Sequence, residues 1–178
     1  MTDTSNPTPP QDPAQPADAN GQQAQSPALR VLGQYVKDLS FENPGNVQVN
    51  SQPNIDLGID VGATPHVQGD GMYEVSLKMN AKAEAEDKVL FIIELEYSGL
   101  FKLEGLSEAD LEPMLLIECP RLLFPFARRI IAEITRDGGF PQLLIDPVDF
   151  VGLYRSQKAR AAEAATAAPA DTAPQTEN

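Results

Sequence analysis

Three stretches of this 178-residue chain alternate apolar and polar side chains with a period of two, which constrains its fold more than any other feature. Residues 55–61 read I-D-L-G-I-D-V, with Ile55, Leu57, Ile59 and Val61 opposite Asp56, Gly58 and Asp60. Further on, Tyr73, Val75, Leu77, Met79 and Ala81 oppose Glu74, Ser76, Lys78, Asn80 and Lys82. In residues 89–97, Val89, Phe91, Ile93, Leu95 and Tyr97 oppose Leu90, Ile92, Glu94 and Glu96. Each pattern predicts a strand with one buried and one wet face. Wet faces favour an antiparallel sheet, because parallel strands are apolar on both sides. The link A-E-A-E-D-K predicts a hairpin between the last two runs, with Asp87 and Lys88 at its tip.

Residues 31–42 alternate less cleanly, with Tyr35, Lys37, Leu39 and Phe41 against Val36, Asp38, Ser40 and Glu42, before Asn43-Pro44-Gly45 ends the run. Taken as a strand, it makes four. After Gly99 the texture changes. Leu100, Phe101, Leu103 and Leu106 read as an apolar loop, and Ser107 caps a short helix with Asp110 at its third position. Pro120 suits the first turn of a longer helix that Gly138-Gly139 ends, with a kink or restart expected at Pro125. Leu122, Leu123, Phe126, Ala127, Ile130, Ile131 and Ile134 give that helix an apolar arc wider than one small sheet can cover, which points to self-association. A last helix starts at 147–150. The order of elements predicts an α+β fold: a four-stranded antiparallel sheet with helices packed on one face.

Residues 1–27 and 164–178 are rich in Pro, Ala and polar residues and have almost nothing to bury, so both read as disordered tails around a domain at 28–163. Against 13 Lys and Arg stand 26 Asp and Glu. All 13 bases but only 21 of the acids fall within 28–163, leaving the domain itself at −8. Such a surface does not grip nucleic acid, which needs clustered positive charge. No apolar run is long enough to span a membrane, and the N-terminus lacks the features of a secretory signal, so the expected location is cytoplasmic.

Candidate chemistry is sparse. Cys119, the one cysteine, sits among Ile117, Leu122 and Leu123 and reads as packed, while His66, the one histidine, lies far away in a Gly/Pro-rich loop. Nucleotide, zinc-protease and hydrolase motifs are missing, and the pairs Asp56/Asp60 and Glu94/Glu96 stand on wet strand faces without the desolvation that acid catalysis requires. The expectation is a non-enzyme without cofactor or metal. Arg128 and Arg129 read as flanks of the apolar arc paired with acids such as Glu133. The apolar material around Leu100–Leu103 and residues 140–145 either tucks into the core or lines a groove for unfolded polypeptide.

Certain strings are more specific: C-P-R-L-L-F-P-F-A-R at 119–128, G-G-F-P-Q-L-L-I-D-P-V-D-F at 138–150 and V-K-D-L-S-F-E-N-P at 36–44. With Y-E-V-S-L-K at 73–78 and S-G-L-F at 98–101 in order between them, the chain closely resembles the SecB family of bacterial protein-export chaperones. The resemblance covers about residues 28–160. It implies a cytosolic homotetramer, a dimer of dimers, that keeps preproteins unfolded without nucleotide or metal and delivers them to the SecA motor ATPase. By position it implies a SecA-docking surface at Asp38, Glu42, Ile92 and Glu94. It also implies a substrate groove at Ile55, Leu57, Ile59, Phe101, Leu103, Phe140, Leu144, Leu153 and Tyr154. The last helix departs from the pattern, turning to Arg155, Lys158, Arg160 and alanines soon after Tyr154. Competing readings are a holdase of the same fold serving a toxin–antitoxin pair, and a small-ligand or enzymatic domain.

Overall fold

The computed structural model describes residues 27–45, 51–67 and 71–167, the last four as helical backbone only. Four strands, β1 (Ala28–Glu42), β2 (Asn54–Pro65), β3 (Met72–Ala85) and β4 (Lys88–Glu104), form one antiparallel sheet in the order β1-β4-β3-β2. Consecutive strands β1 and β2 thus form opposite edges. The tail expectations for 1–26 and 168–178 lie outside the described residues, and the last helix continues through the alanines as far as Ala167, before Pro169.

The side chains that alternate inward on β3 and β4 make the core. Val75, Leu77, Met79, Ala81, Ala83, Phe91, Ile93, Leu95, Phe101 and Leu103 are all buried. β4 runs well past the expected end at Tyr97, because β1 pairs beside it as far as Glu104 and the Leu103 N–H donates to the Gly71 carbonyl (2.8 Å). Phe101 and Leu103 are therefore strand core residues and not part of a loop. Gly99 makes room for them, since a Cβ there would stand 2.7 Å from the Phe101 ring and 2.8 Å from Leu123. Seen from the turn, β3 and β4 join through Glu86 and Asp87, one residue earlier than expected. Both have positive φ (52° and 59°), the conformation a two-residue hairpin needs for its twist to match the strands.

In β1 the register shifts between Val31 and Gly33 and again between Val36 and Asp38. Each extra residue inverts the alternation, which corrects the reading of 31–42. Val36, Leu39 and Phe41 pair with inward-facing Tyr97, Leu95 and Ile93, whereas Tyr35, Asp38, Ser40 and Glu42 share the wet face.

Helix α1 (Glu108–Pro113) begins as expected, the Ser107 hydroxyl accepting the Asp110 N–H (3.3 Å). The chain then stays helical through a π-helical turn at Met114–Glu118 into α2 (Cys119–Asp137), so the two expected helices are joined. The Cys119 N–H bonds back five residues to Met114. That wider turn gives the Pro120 ring room next to the preceding carbonyls, and the helix passes through Pro125 without a restart. At the C-terminus, Gly139 (φ 88°) and Phe140 donate to the carbonyls of Arg136 and Thr135, closing the helix as a Schellman motif.

Helix α2 packs on the inward face of β3 and β4. Leu123, Ala127 and Ile131 are fully buried there, while Leu122 and Phe126 on the same arc remain exposed. Helix α3 (Phe150–Ala167) is anchored at its start by Phe150, whose ring meets Phe124 edge-on at 5.9 Å. Beyond that point it carries little apolar surface. Two exposed side-chain contacts tether it: Gln157 to Asp60 on β2 (2.6 Å) and Lys158 to Glu112 on α1 (3.0 Å).

Candidate functional site: two surfaces on opposite sides of the sheet

The wet face brings the four candidate docking residues together. Glu42 stands directly opposite Ile92, and Glu94 stands opposite Ser40, between Glu42 and Asp38. Neighbouring strands lie about 4.8 Å apart, so the four form one corner of the sheet. Asp38, Glu42 and Glu94 are exposed and make no ion pair among the described residues. Glu74 and Glu96 on this face are engaged. Lys37, the extra residue of the second β1 bulge, reaches Glu74 (2.7 Å) and Glu96 (3.4 Å), and Lys78 lies 3.6 Å from Glu96.

Titration follows these contacts. The hydrogen bond from Lys37 holds the Glu74 carboxyl below its ordinary value despite partial burial. Burial alone would raise Glu96, but hydrogen bonds from Ser76 and Lys37 and the two lysine charges outweigh it and bring it down. Lys37 is raised in turn, chiefly by its bond to Glu74. At the middle of the face, the buried Ser98 hydroxyl pairs with Ser76 (2.9 Å), opposite Tyr35.

On the other side, the candidate groove residues separate. Leu57 and Ile59 of β2 and Leu153 of α3 line an open groove of about 610 Å³, with Gly58, Val148, Asp149, Gly152, Ser156 and Arg160. Ile55 lies on the same face of β2, half-buried. Phe101 (0% exposed) and Leu103 do not reach this groove, and the expectation that they line it is corrected: the extended β4 draws both inside the subunit. Phe140 packs against Phe91 (5.0 Å) and Phe41 (6.5 Å) at the far end of α2. Leu144 points outward, 69% exposed, while Leu143 and Ile145 around it turn in; the buried Thr135 hydroxyl fixes this segment by accepting the Leu143 N–H (3.0 Å). Tyr154 lines a separate hollow with Glu112, Leu116 and Lys158, and the Lys158 ammonium donates to its hydroxyl (2.9 Å).

Cys119 is fully buried, and burial pushes its thiol up to about 12, so it is a packed side chain and not a nucleophile. Arg129 binds both carboxylate oxygens of Glu133 at 2.8 Å, as the helical spacing predicts. Sequence reasoning missed Lys37 as an organiser of the wet face and Val148, Ser156 and Arg160 as groove lining. The misphased alternation of 31–42 was the available signal for Lys37. None marks the groove residues, which meet β2 only through the docking of α3. No helix among the described residues is long and apolar enough to cross a membrane.

Relatives and structural neighbours agree with this architecture. A family model described as preprotein translocase subunit SecB matches residues 22–161. The chain is 69% identical to a protein-export protein SecB of Hyphomonas neptunium over 168 residues, 93% of this chain and 95% of the relative. It is 57% identical to the protein of that name from Maricaulis maris, over 83% of this chain and 87% of the relative. Among solved structures, it is similar to a Mycobacterium tuberculosis SecB-like chaperone in complex with a ChAD peptide from an antitoxin. That match has a TM-score of 0.59 at 12% identity and covers 67% of this chain and 90% of the other. At that identity the likeness speaks for the fold alone, and the fold, the 140 matched positions and the identity to curated relatives together place this chain in the SecB family.

Proposed function

We propose that this protein is an ATP-independent export chaperone that binds preproteins before they fold and passes them to SecA. The observation that carries the reading is the division of exposed surface between the two sides of one sheet. An open, mainly apolar groove lies at the β2 edge, and exposed acids that make no ion pair among the described residues stand beside Ile92 on the wet face. The groove suits extended chain, because Leu57, Ile59 and Leu153 can each cover an aliphatic or aromatic client side chain. Burying one such side chain is worth roughly 1.5–3 kcal/mol. A single groove therefore binds weakly, and several copies acting on one client chain bind tightly.

A homotetramer, formed as a dimer of dimers, supplies those copies. Support for assembly comes from β1, an edge strand carrying exposed Val31, Leu32, Val36 and Leu39, and from exposed Leu122 and Phe126 on α2. The acidic corner suits a basic surface with an apolar centre, and SecA is the partner that membership of the family suggests. Nothing in this scheme requires a catalytic step, a cofactor or contact with nucleic acid or lipid, and its setting is the cytoplasm.

The test uses purified full-length chain, SecA and a reduced, unfolded preprotein. Glu94→Lys is expected to weaken SecA binding several-fold in calorimetric titration and to leave preprotein affinity nearly unchanged. Equal losses for both partners, or none for SecA, would refute a separate docking face.

A further inference from the structure

The ion pairs of the wet face cut it into two electrostatic regions. Around Lys37, two ammonium groups meet two carboxylates, so Lys37, Lys78, Glu74 and Glu96 are together neutral. Immediately beside them, Asp38, Glu42 and Glu94 make no ion pair among the described residues, although Lys78 lines a hollow with Asp38 and Glu94 and Lys82, itself paired with Glu84, stands opposite Ile92; Asp38 stands directly across from Glu96 in the register. Like charges at opposed positions repel, and a regular strand would leave that repulsion in place. The β1 bulge instead inserts Lys37 next to Asp38 and turns its ammonium over Glu96 and Glu74. The side chains of Glu74 and Glu96 are only 21% and 20% exposed, so water cannot replace Lys37 as their partner in full.

We infer that Lys37 is a positioning residue for docking: by neutralising Glu74 and Glu96 it confines the acidic target to Asp38, Glu42 and Glu94 around Ile92. This rests on the docking reading above and adds to it which charges a basic partner meets. Without Lys37, two half-hydrated carboxylates would extend the negative field across β4 and β3, drawing a basic partner more strongly and with less positional selection. Lys37 therefore limits affinity in favour of register, a role opposite to that of the acids it adjoins.

The experiment titrates SecA into the full-length chain and its variants across a series of salt concentrations. Lys37→Met is expected to bind SecA about threefold more tightly at low salt, with a steeper salt dependence. Adding Glu74→Gln to it makes the cluster neutral again and is expected to restore both the affinity and the salt slope. Lys102→Met removes an equal charge ten residues along β4 from Ile92, roughly 33 Å away and beyond the screening length. It is expected to leave binding unchanged. An unchanged or weaker Lys37→Met variant, failure of the double variant to revert, or an equal gain from Lys102→Met would overturn the inference alone. Absence of SecA binding by the parent chain, or indifference to Glu94→Lys, would overturn the docking reading and this inference with it. Should Lys37→Met fail to fold, Glu74→Gln by itself decides the matter. It leaves the cluster with one excess positive charge and is expected to bind about threefold more weakly with a shallower salt slope; no change would refute the role.

Discussion

Phe101 and Glu74 show how differently two side chains on one sheet contribute. Phe101 is wholly inside the subunit, so Phe101→Ala removes a buried ring next to Gly99 and Leu123. It is expected to cost about 3–5 kcal/mol of stability, read as a large drop in melting temperature. A small drop accompanied by lost client binding would return Phe101 to the groove. Glu74 and Glu96 act through charge. Both are held below the ordinary value of 4.5 in the fold, so their contribution is complete above that value and disappears as pH falls through their folded values. Lys37 is nearly half exposed, which limits the contribution to under about 1 kcal/mol. Melting curves of the parent chain and Lys37→Met are therefore expected to differ slightly at neutral pH and to converge in acid once the carboxylates are protonated. A constant offset across pH would rule out the ion pairs as its cause.

Among the elements, the β3–β4 hairpin was the most legible, because β3 keeps its period of two throughout and β4 keeps it from Phe91 to Tyr97; a register shift before Phe91 buries Leu90 and reverses the expected faces of Leu90 and Val89. Its tip was misplaced by one residue. Neither Glu86 nor Asp87 announces a left-handed turn as Asn-Gly would, yet both adopt one. Asp87→Gly is expected to remove about 1 kcal/mol of backbone strain and raise the melting temperature by a few degrees. A decrease would mean that the Asp87 side chain contributes contacts outweighing the strain. β1 was harder to read, since each bulge reverses the faces and a periodic reading then assigns Tyr35 and Val36 to the wrong sides. The four residues that the resemblance marks for docking nonetheless stand together, as they lie on the regular stretch beyond the second bulge and on the regular part of β4. The groove came out only in part. Leu57, Ile59 and Leu153 are near neighbours solely because α3 returns to β2, and its exposed tethers leave no periodic trace in the sequence.

For the whole molecule, the apolar arc of α2 was read correctly as too wide for one sheet: its inner half is buried and Leu122 and Phe126 are left outside. A charged side chain at that position should therefore act on assembly before it acts on folding. Native mass measurement is expected to give four times the 19.2 kDa subunit for the parent chain and a smaller species for Phe126→Arg, with circular dichroism preserved. A parent chain that remains a single subunit, or a Phe126→Arg variant that keeps its mass, would count against this interface.

Leu57 and Ile59 point to the helical side of the sheet, while Asp38 and Glu94 point to the other. On the proposed function, cargo and motor would then not contend for the same atoms, and a three-component intermediate holding both would be sterically open. Transfer by that route would be a relay with no free-swimming stage.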